Sequence, residues 1–336
     1  MISVIIPAYN AEQTLERALA SLISNAEYIT EVIIVDDCSD NPDYVEQISA
    51  RFVEFLHINI IRMSANRGPG YARAEGIRAA HGEWVTFLDA DDCLTASSLR
   101  YVANELYDPQ LVLLHTMTIY YESGDFVKEN VEHSDGSCGG NFYRLEYLLK
   151  HRLVPMIYPR LSEDEFFNDI VNTYIQAVDN KNHDGRYDYP VYEVHHDFDD
   201  GFSYALSNWR EYVVDARLQG AIYLADFYDG YDAATEHVKN EFLNIFCFSQ
   251  CMWQGLMSDT DNIISDRDMK LCLDAFRSAR NYYIEHFGGD DSDIVDHYNA
   301  NKDAFFEGAH GSMGFQYEEF IEIEDFIKLL KGEEIV

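Results

Sequence analysis

Basic residues are scarce in this chain. Lys and Arg total 24 against 60 Asp and Glu, a formal charge of −36 over 336 residues. Such a field repels nucleic acid, phosphoinositides and anionic membrane surfaces as partners. Paired cysteines are missing too. Cys38, Cys93, Cys138, Cys247, Cys251 and Cys272 include no CxxC and no metal-finger spacing, so buried free thiols in a reducing, cytoplasmic compartment are expected. No uninterrupted apolar run approaches a bilayer span. The most apolar late stretch, FLNIFCFSQCMWQGLM, is broken by Asn244, Ser249, Gln250, Gln254 and Gly255 and reads as a core helix. The opening MISVIIPAYN lacks a basic leader and meets Pro7 and Asn10 too soon to read as a signal peptide. Internal repeats and low-complexity tracts are also missing.

What is present is a core. With 47% hydrophobic residues, the chain has enough apolar surface for one elaborate domain or two smaller ones. Over the first hundred residues SVIIP, EVIIVDD, HINIIRM and EWVTFLD read as strands. Glu12 to Leu22, Pro42 to Phe52 and Gly70 to Ala80 read as helices between them. Alternation of this kind predicts a parallel α/β sheet covered on both faces, with ligands beyond the carboxyl ends of its strands. Further on, QLVLLHTMTIYY and DFVKENV suggest longer antiparallel strands, and Asn141 to His151 a helix. SEDEFFNDIVNTYIQAV reads as another helix and YPVYEVHH as a last strand. From Phe202 onward only helices are expected, broken near Asp229 to Asp232, Ser258 to Asp261, Gly288 to Asp291 and Gly308 to Gly314. The expected division is a mixed-sheet catalytic half at residues 1–201 and a helical appendage at 202–336.

Three strand tails then share one rim: Pro7, Ala8, Tyr9 and Asn10; Asp36 and Asp37; Asp89, Ala90 and Asp91. In WVTFLDADDCL, a buried strand finishes in Asp89, Asp91 and Asp92. Clustered carboxylates repel and lose hydration, so they call for a cation or a donor-rich ligand. Positions i and i+2 of a strand face one way, which would aim Asp89 and Asp91 at one ligand, while Asp92 would cap a helix starting near Thr95.

PAYN, VDDCSD, NRGPGYARAEGIRAAHGEWVTFLDADD and SEDEFFND, in this order, resemble a family 2 glycosyltransferase with the GT-A fold over roughly residues 1 to 200. The resemblance implies a Rossmann-like mixed sheet flanked by helices, a UDP-sugar donor and Mn2+ or Mg2+. It further implies that Asp37 pairs with the uracil ring, that Pro7, Ala8 and Tyr9 wall the base, and that Asn66 and Arg73 lie on the nucleotide side. Ala74 stands where the family often has Asn. Asp89 and Ala90 would meet the ribose, and Asp91 of the DXD motif would hold the metal, joined by His195 or His196. Asp164, in the ED pair with Glu163, would be the general base of an inverting transfer.

Each residue also has a plainer reading. The DAD run makes a solvated acidic turn, SEDEFF a helix N-terminus with Ser162 as cap, Asp37 a turn residue, Arg73 a surface arginine, and the two histidines strand-end residues. The GPG before Arg73 reads as a turn more than as a phosphate loop. Two rival functions remain beside the transferase. A GT-A-like nucleotidyltransferase would carry a Gly-rich basic fingerprint near the first strand, which PAYNAEQTLERAL lacks. A non-catalytic sugar-nucleotide-binding module would be expected to lose DAD or ED, and both are kept. The acceptor expected is a glycan, a lipid-linked sugar or a small molecule rather than a nucleic acid. The helical region is expected to shape the acceptor site or to mediate self-association.

Overall fold

A computed structural model describes residues 1–41, 43–106, 112–115, 118–122, 125–130, 138–154, 163–179, 184–187, 191–196, 210–258, 266–313 and 321–333. The chain divides into two compact units, Met1–Asp199 and Asp200–Val336. Strands of the first unit are β1 (Ile2–Ala8), β2 (Ile29–Asp36), β3 (Ile58–Arg62), β4 (Trp84–Phe87), β5 (Cys93–Leu94), β6 (Val112–His115), β7 (Thr118–Glu122), β8 (Asp125–Asn130), β9 (Phe142–Arg144), β10 (Asp184–Tyr187) and β11 (Tyr192–His196). Its helices are α1 (Leu15–Leu22), α2 (Tyr44–Ser49), α3 (Pro69–Ala79), α4 (Leu99–Glu105), α5 (Leu145–Lys150) and α6 (Glu163–Thr173).

The central sheet runs β10-β6-β9-β4-β1-β2-β3. β1 pairs in parallel with β2 and β4, and β2 with β3, whereas β9 lies antiparallel to both β4 and β6. This is the mixed sheet flanked by helices that the sequence pattern implied. β1, β2 and β4 are apolar on both faces because helices cover both. On one face, Leu15, Ala18, Leu19 and Leu22 of α1, at i, i+3, i+4 and i+7, join Val4, Ile6, Val32 and Ile34 in a single apolar cluster. On the other, α3 packs so close to β1 that a Cβ on Gly76 would lie 2.4 Å from Cγ2 of Ile5.

A smaller sheet runs β5-β11-β7-β8. It corrects two expectations. QLVLLHTMTIYY is not one long strand: Val112–His115 lies in the large sheet and Thr118–Glu122 in the small one, so the chain changes sheets between them. The expected helix from Asn141 begins as β9, because Phe142 and Tyr143 fill the gap between β4 and β6 before α5 starts at Leu145.

In the second unit the described elements are helical: α7 (Arg210–Phe227), α8 (Thr235–Ser258), α9 (Asp266–Phe287), α10 (Asp291–Met313) and α11 (Ile323–Lys331). FLNIFCFSQCMWQGLM lies within α8, with Phe242, Phe246, Cys247 and Cys251 buried. Phe276 meets Phe246 at 5.3 Å and Phe326 at 4.9 Å between ring centroids, which ties α9 to α8 and α11. Arg280 grips Asp291 through two bonds of 2.6 and 2.7 Å, a fork that fixes the turn between α9 and α10. Within the break expected at Gly308 to Gly314, α10 continues through Gly308 to Met313, and residue 314 lies outside the described residues. Among the described residues, no helix is long and apolar enough to cross a membrane.

Candidate active site

Parallel pairing brings the strand tails to one edge. Ala8 is level with Asp36, the Asp37 amide donates to the Ala8 carbonyl at 2.8 Å, and the Leu88 amide donates to Ile5 at 3.0 Å. The loops after β1 and β2 are then sewn together. Asn10, at φ 50°, donates its backbone N–H to Ser39 Oγ at 2.9 Å, while its side chain and Asp40 exchange bonds of 3.0 and 2.9 Å. Ser39 in turn bonds the buried carboxylate of Asp36. On this rim Ala8 is buried, Pro7 half-buried, and Tyr9 stands 49% exposed, an uncovered aromatic face beside the strand ends.

Asp37 is buried and bridges to the next crossover. Its two oxygens accept the Arg67 and Gly68 amides at 2.8 and 2.7 Å, next to the half-buried Asn66. Gly68, at φ 90°, occupies backbone space that favours glycine and leads into Pro69 at the start of α3. The GPG segment is therefore the start of α3 rather than a loose turn, with Gly68 at the N-cap and held by Asp37.

Arg73, projecting from α3, is buried rather than a surface residue. Its guanidinium donates to Asp89 Oδ1 at 2.7 Å and lies 5.9 Å from the centroid of Phe87. Phe87, Tyr143 and Phe167 form a ring cluster with centroid separations of 5.8, 5.5 and 5.1 Å. This cluster links β4 to α6, whose residues Asp164, Phe167 and Asn168 share one face at i, i+3 and i+4. The Tyr143 hydroxyl donates to Asn168. Burial pushes that phenol well above its ordinary range, the negative charge of Asp164 adds to the push, and Arg73 opposes it. Asp164 and Arg73 thus act with opposite signs on one phenol. The side chain of Glu163 lies outside the described residues.

The three aspartates of the DADD turn do not behave alike. β4 ends at Phe87, so Asp89 and Asp91 sit on a turn, closed by a 3.1 Å bond from the Asp92 amide to the Asp89 carbonyl, and strand alternation does not align them. Asp89 is turned to Arg73 and Asp91 is exposed, with its carbonyl taken by Arg17. Ala90 is buried between them. Asp92 caps no helix, since α4 starts at Leu99. Instead it is buried, accepts the His195 amide at 3.0 Å, and is hydrogen-bonded by the Tyr192 hydroxyl. Desolvation raises its pKa well above the usual carboxylate range, and Asp91 and Asp89 raise it further.

Tyr192 is the residue that sequence reasoning missed. Its hydroxyl accepts the Asp89 amide at 3.1 Å while donating to Asp92, and its ring lies so close to Gly139 that a Cβ there would stand 2.7 Å from Cζ. The only signal was an aromatic-rich YDYPVY, which reads as core. Of the two histidines, His195 has its Nε2 3.6 Å from Glu193 Oε2, in a group with Cys93. Burial pushes the Cys93 thiol up to about 12 and raises the Glu193 carboxyl. The side chain of His196 lies outside the described residues.

The aspartates that close these parallel strands, with α6 packed beside them, form a crevice at the carboxyl edge of an α/β sheet, where such sheets bind ligands. Residues 3–160, a little under half of the chain, match the sequence model of glycosyl transferase family 2, and the fold is of the GT-A type. Succinoglycan biosynthesis protein ExoO of Rhizobium meliloti is 36% identical over 99 residues, which are 30% of this chain and 28% of that protein. The poly(ribitol-phosphate) beta-N-acetylglucosaminyltransferase TarS of Staphylococcus aureus is 36% identical over 104 residues, 30% of this chain and 18% of that one. The match thus spans less than a third of either relative. The structure of TarS residues 1–349 in complex with UDP-GlcNAc covers 96% of this chain and 94% of its own, at a TM-score of 0.60 and 23% identity, which is a likeness of fold.

Proposed function

We propose that this chain transfers a sugar from a UDP-sugar to an acceptor hydroxyl with inversion at the anomeric carbon, Asp164 acting as general base. The observation that carries this reading is the packing of α6 on the strand ends: Phe167, one turn on from Asp164, lies 5.5 Å from the ring of Phe87 at the end of β4, the same ring that faces the Arg73 holding Asp89. The family match over residues 3–160 and the likeness to a UDP-GlcNAc complex of TarS support a nucleotide-sugar donor.

In this reading Tyr9, Pro7 and Ala8 hold the base on one side, and Asp37 accepts the uracil imide proton. Asn66 and Arg73 line the nucleotide side, and Ala90, buried in the turn, lets the ribose approach Asp89. Mn2+ or Mg2+ suits Asp91, because an exposed carboxylate offers a hard oxygen donor to an ion that otherwise takes water and substrate phosphates. When bound, the ion would neutralise the charge developing on the departing diphosphate. Arg73, by occupying Asp89, keeps the two carboxylates of DAD from competing for one ligand. Asp164 takes the proton from the acceptor hydroxyl as that oxygen attacks from the face opposite the leaving group. The acceptor would be a glycan, a lipid-linked sugar or a small molecule, with the helical unit serving the acceptor or self-association.

The test uses the full chain with Mn2+ and a panel of UDP-sugars, read by UDP release and by product formation. In Asp164→Asn, UDP affinity is expected to hold while transfer falls ~10²-fold or more, the scale of a lost general base. Undiminished turnover in that variant would remove Asp164 from the role.

A further inference from the structure

β5 and β11 run antiparallel with Cys93 directly opposite Glu193. Opposed residues share a face, and His195, two positions on from Glu193, joins them there. Strand geometry alone therefore gathers a thiol, a carboxylate and an imidazole. Their ligand atoms lie within 4.8 Å of one another, and the imidazole–carboxylate separation is 3.6 Å. Ligands around a tetrahedral zinc ion stand ~3.3–3.8 Å apart, as bond lengths of about 2.0–2.3 Å require. Small side-chain movements close the difference. The Cys93 residue is 6% exposed and the His195 side chain 11%, so the donors are mostly shielded from water and held on paired backbone.

From this arrangement we infer that Cys93, Glu193 and His195 form a site for a thiophilic divalent cation of the Zn2+ class, separate from the Asp91 site of the transfer reaction. Thiolate and imidazole donors favour Zn2+ over Mg2+, which demands six oxygens in near-octahedral geometry. Three protein ligands leave a fourth position for water. On binding, the Cys93 thiol gives its proton to solvent and the sulfur takes the metal bond. The thiolate and the carboxylate together bring two negative charges to meet the cation. Because Cys93 follows Asp91 by two residues and the His195 amide holds Asp92, the ion would pin β5 to β11 directly behind the DAD turn.

The full chain, stripped of metal by chelator and returned to buffer with excess Mg2+, is titrated with Co2+ as the spectroscopic probe. One equivalent is expected to produce a thiolate-to-cobalt charge-transfer band in the near ultraviolet, which Zn2+ then abolishes by displacement. Cys93→Ser is expected to lose the band, while Cys38→Ser and Asp91→Asn keep it. His195→Gln is expected to lower Co2+ affinity by more than the roughly 10–100-fold that loss of a merely supporting group costs. If circular dichroism finds Cys93→Ser unfolded, the His195→Gln titration decides. No band in the parent chain, a band that survives Cys93→Ser, one that disappears in Asp91→Asn, or unchanged affinity in His195→Gln would overturn the inference.

Discussion

Each oxygen of Asp37 accepts one amide of the Arg67–Gly68 segment. Asp37→Ala therefore removes two charge-assisted bonds as well as the proposed uracil contact. Thermal melting should place the variant below the parent by on the order of 1.5–3 kcal/mol for each bond not replaced by water, and UDP calorimetry should find weaker binding. Unchanged UDP affinity would place the base contact elsewhere. Asp37 was legible as a rim residue because it ends an apolar run, yet its grip on Gly68, 31 residues away, has no local signature. The same holds for Arg73 and Asp89, whose pairing depends on how α3 lies against β4. Asp92 was misread because its neighbours are turn formers, and only the approach of β11 buries it.

Among the elements, α3 and β1 meet where side chains have no room. Gly76→Ala would set a methyl 2.4 Å from Ile5 Cγ2, and the shift needed should cost ~1–3 kcal/mol by urea unfolding, as overpacked cores do. Gly139→Ala presses instead on the Tyr192 ring, at 2.7 and 2.9 Å. It should weaken donor-dependent turnover as well as stability, because that ring carries the hydroxyl between Asp89 and Asp92. A Gly139→Ala chain with parental stability and turnover would show that the tyrosine is not needed there. The parallel strands were readable from unbroken Val and Ile runs, which a sheet covered on both sides requires. β9 was not, since three residues between Asn141 and a run of helix formers are too few to display a period. Nor does a continuous apolar stretch announce where it leaves one sheet for another, as at residues 115 to 118.

At the scale of the whole molecule, charge sets the terms. A chain of −36 repels a bare diphosphate, so calorimetry should find UDP binding weaker in EDTA than in Mn2+ by on the order of tenfold, about 1.4 kcal/mol. Equal affinity in both would remove Asp91 from the metal role. Acid should act partly through Glu31, buried within β2 and accepting Ser3 Oγ at 2.9 Å, Asn59 Nδ2 at 2.7 Å and the His81 amide at 2.7 Å. Burial alone would raise its pKa, but the bonds from His81 and Ser3 prevail and lower it from 4.5. A depressed carboxyl contributes stability above its unfolded pKa and loses it as pH falls through the folded value. Glu31→Gln should therefore be less stable than the parent at pH 7, with the gap narrowing below pH 4.5. A gap constant with pH would contradict this. Tyr192 has one more consequence, and it concerns the order of synthesis. The Asp89 amide waits for a hydroxyl 103 residues downstream, a delay of roughly 5–20 s at translation rates of about 5–20 residues per second. Throughout that interval the nascent DADD turn lacks its anchor, so the crevice is completed only after β11 has left the ribosome.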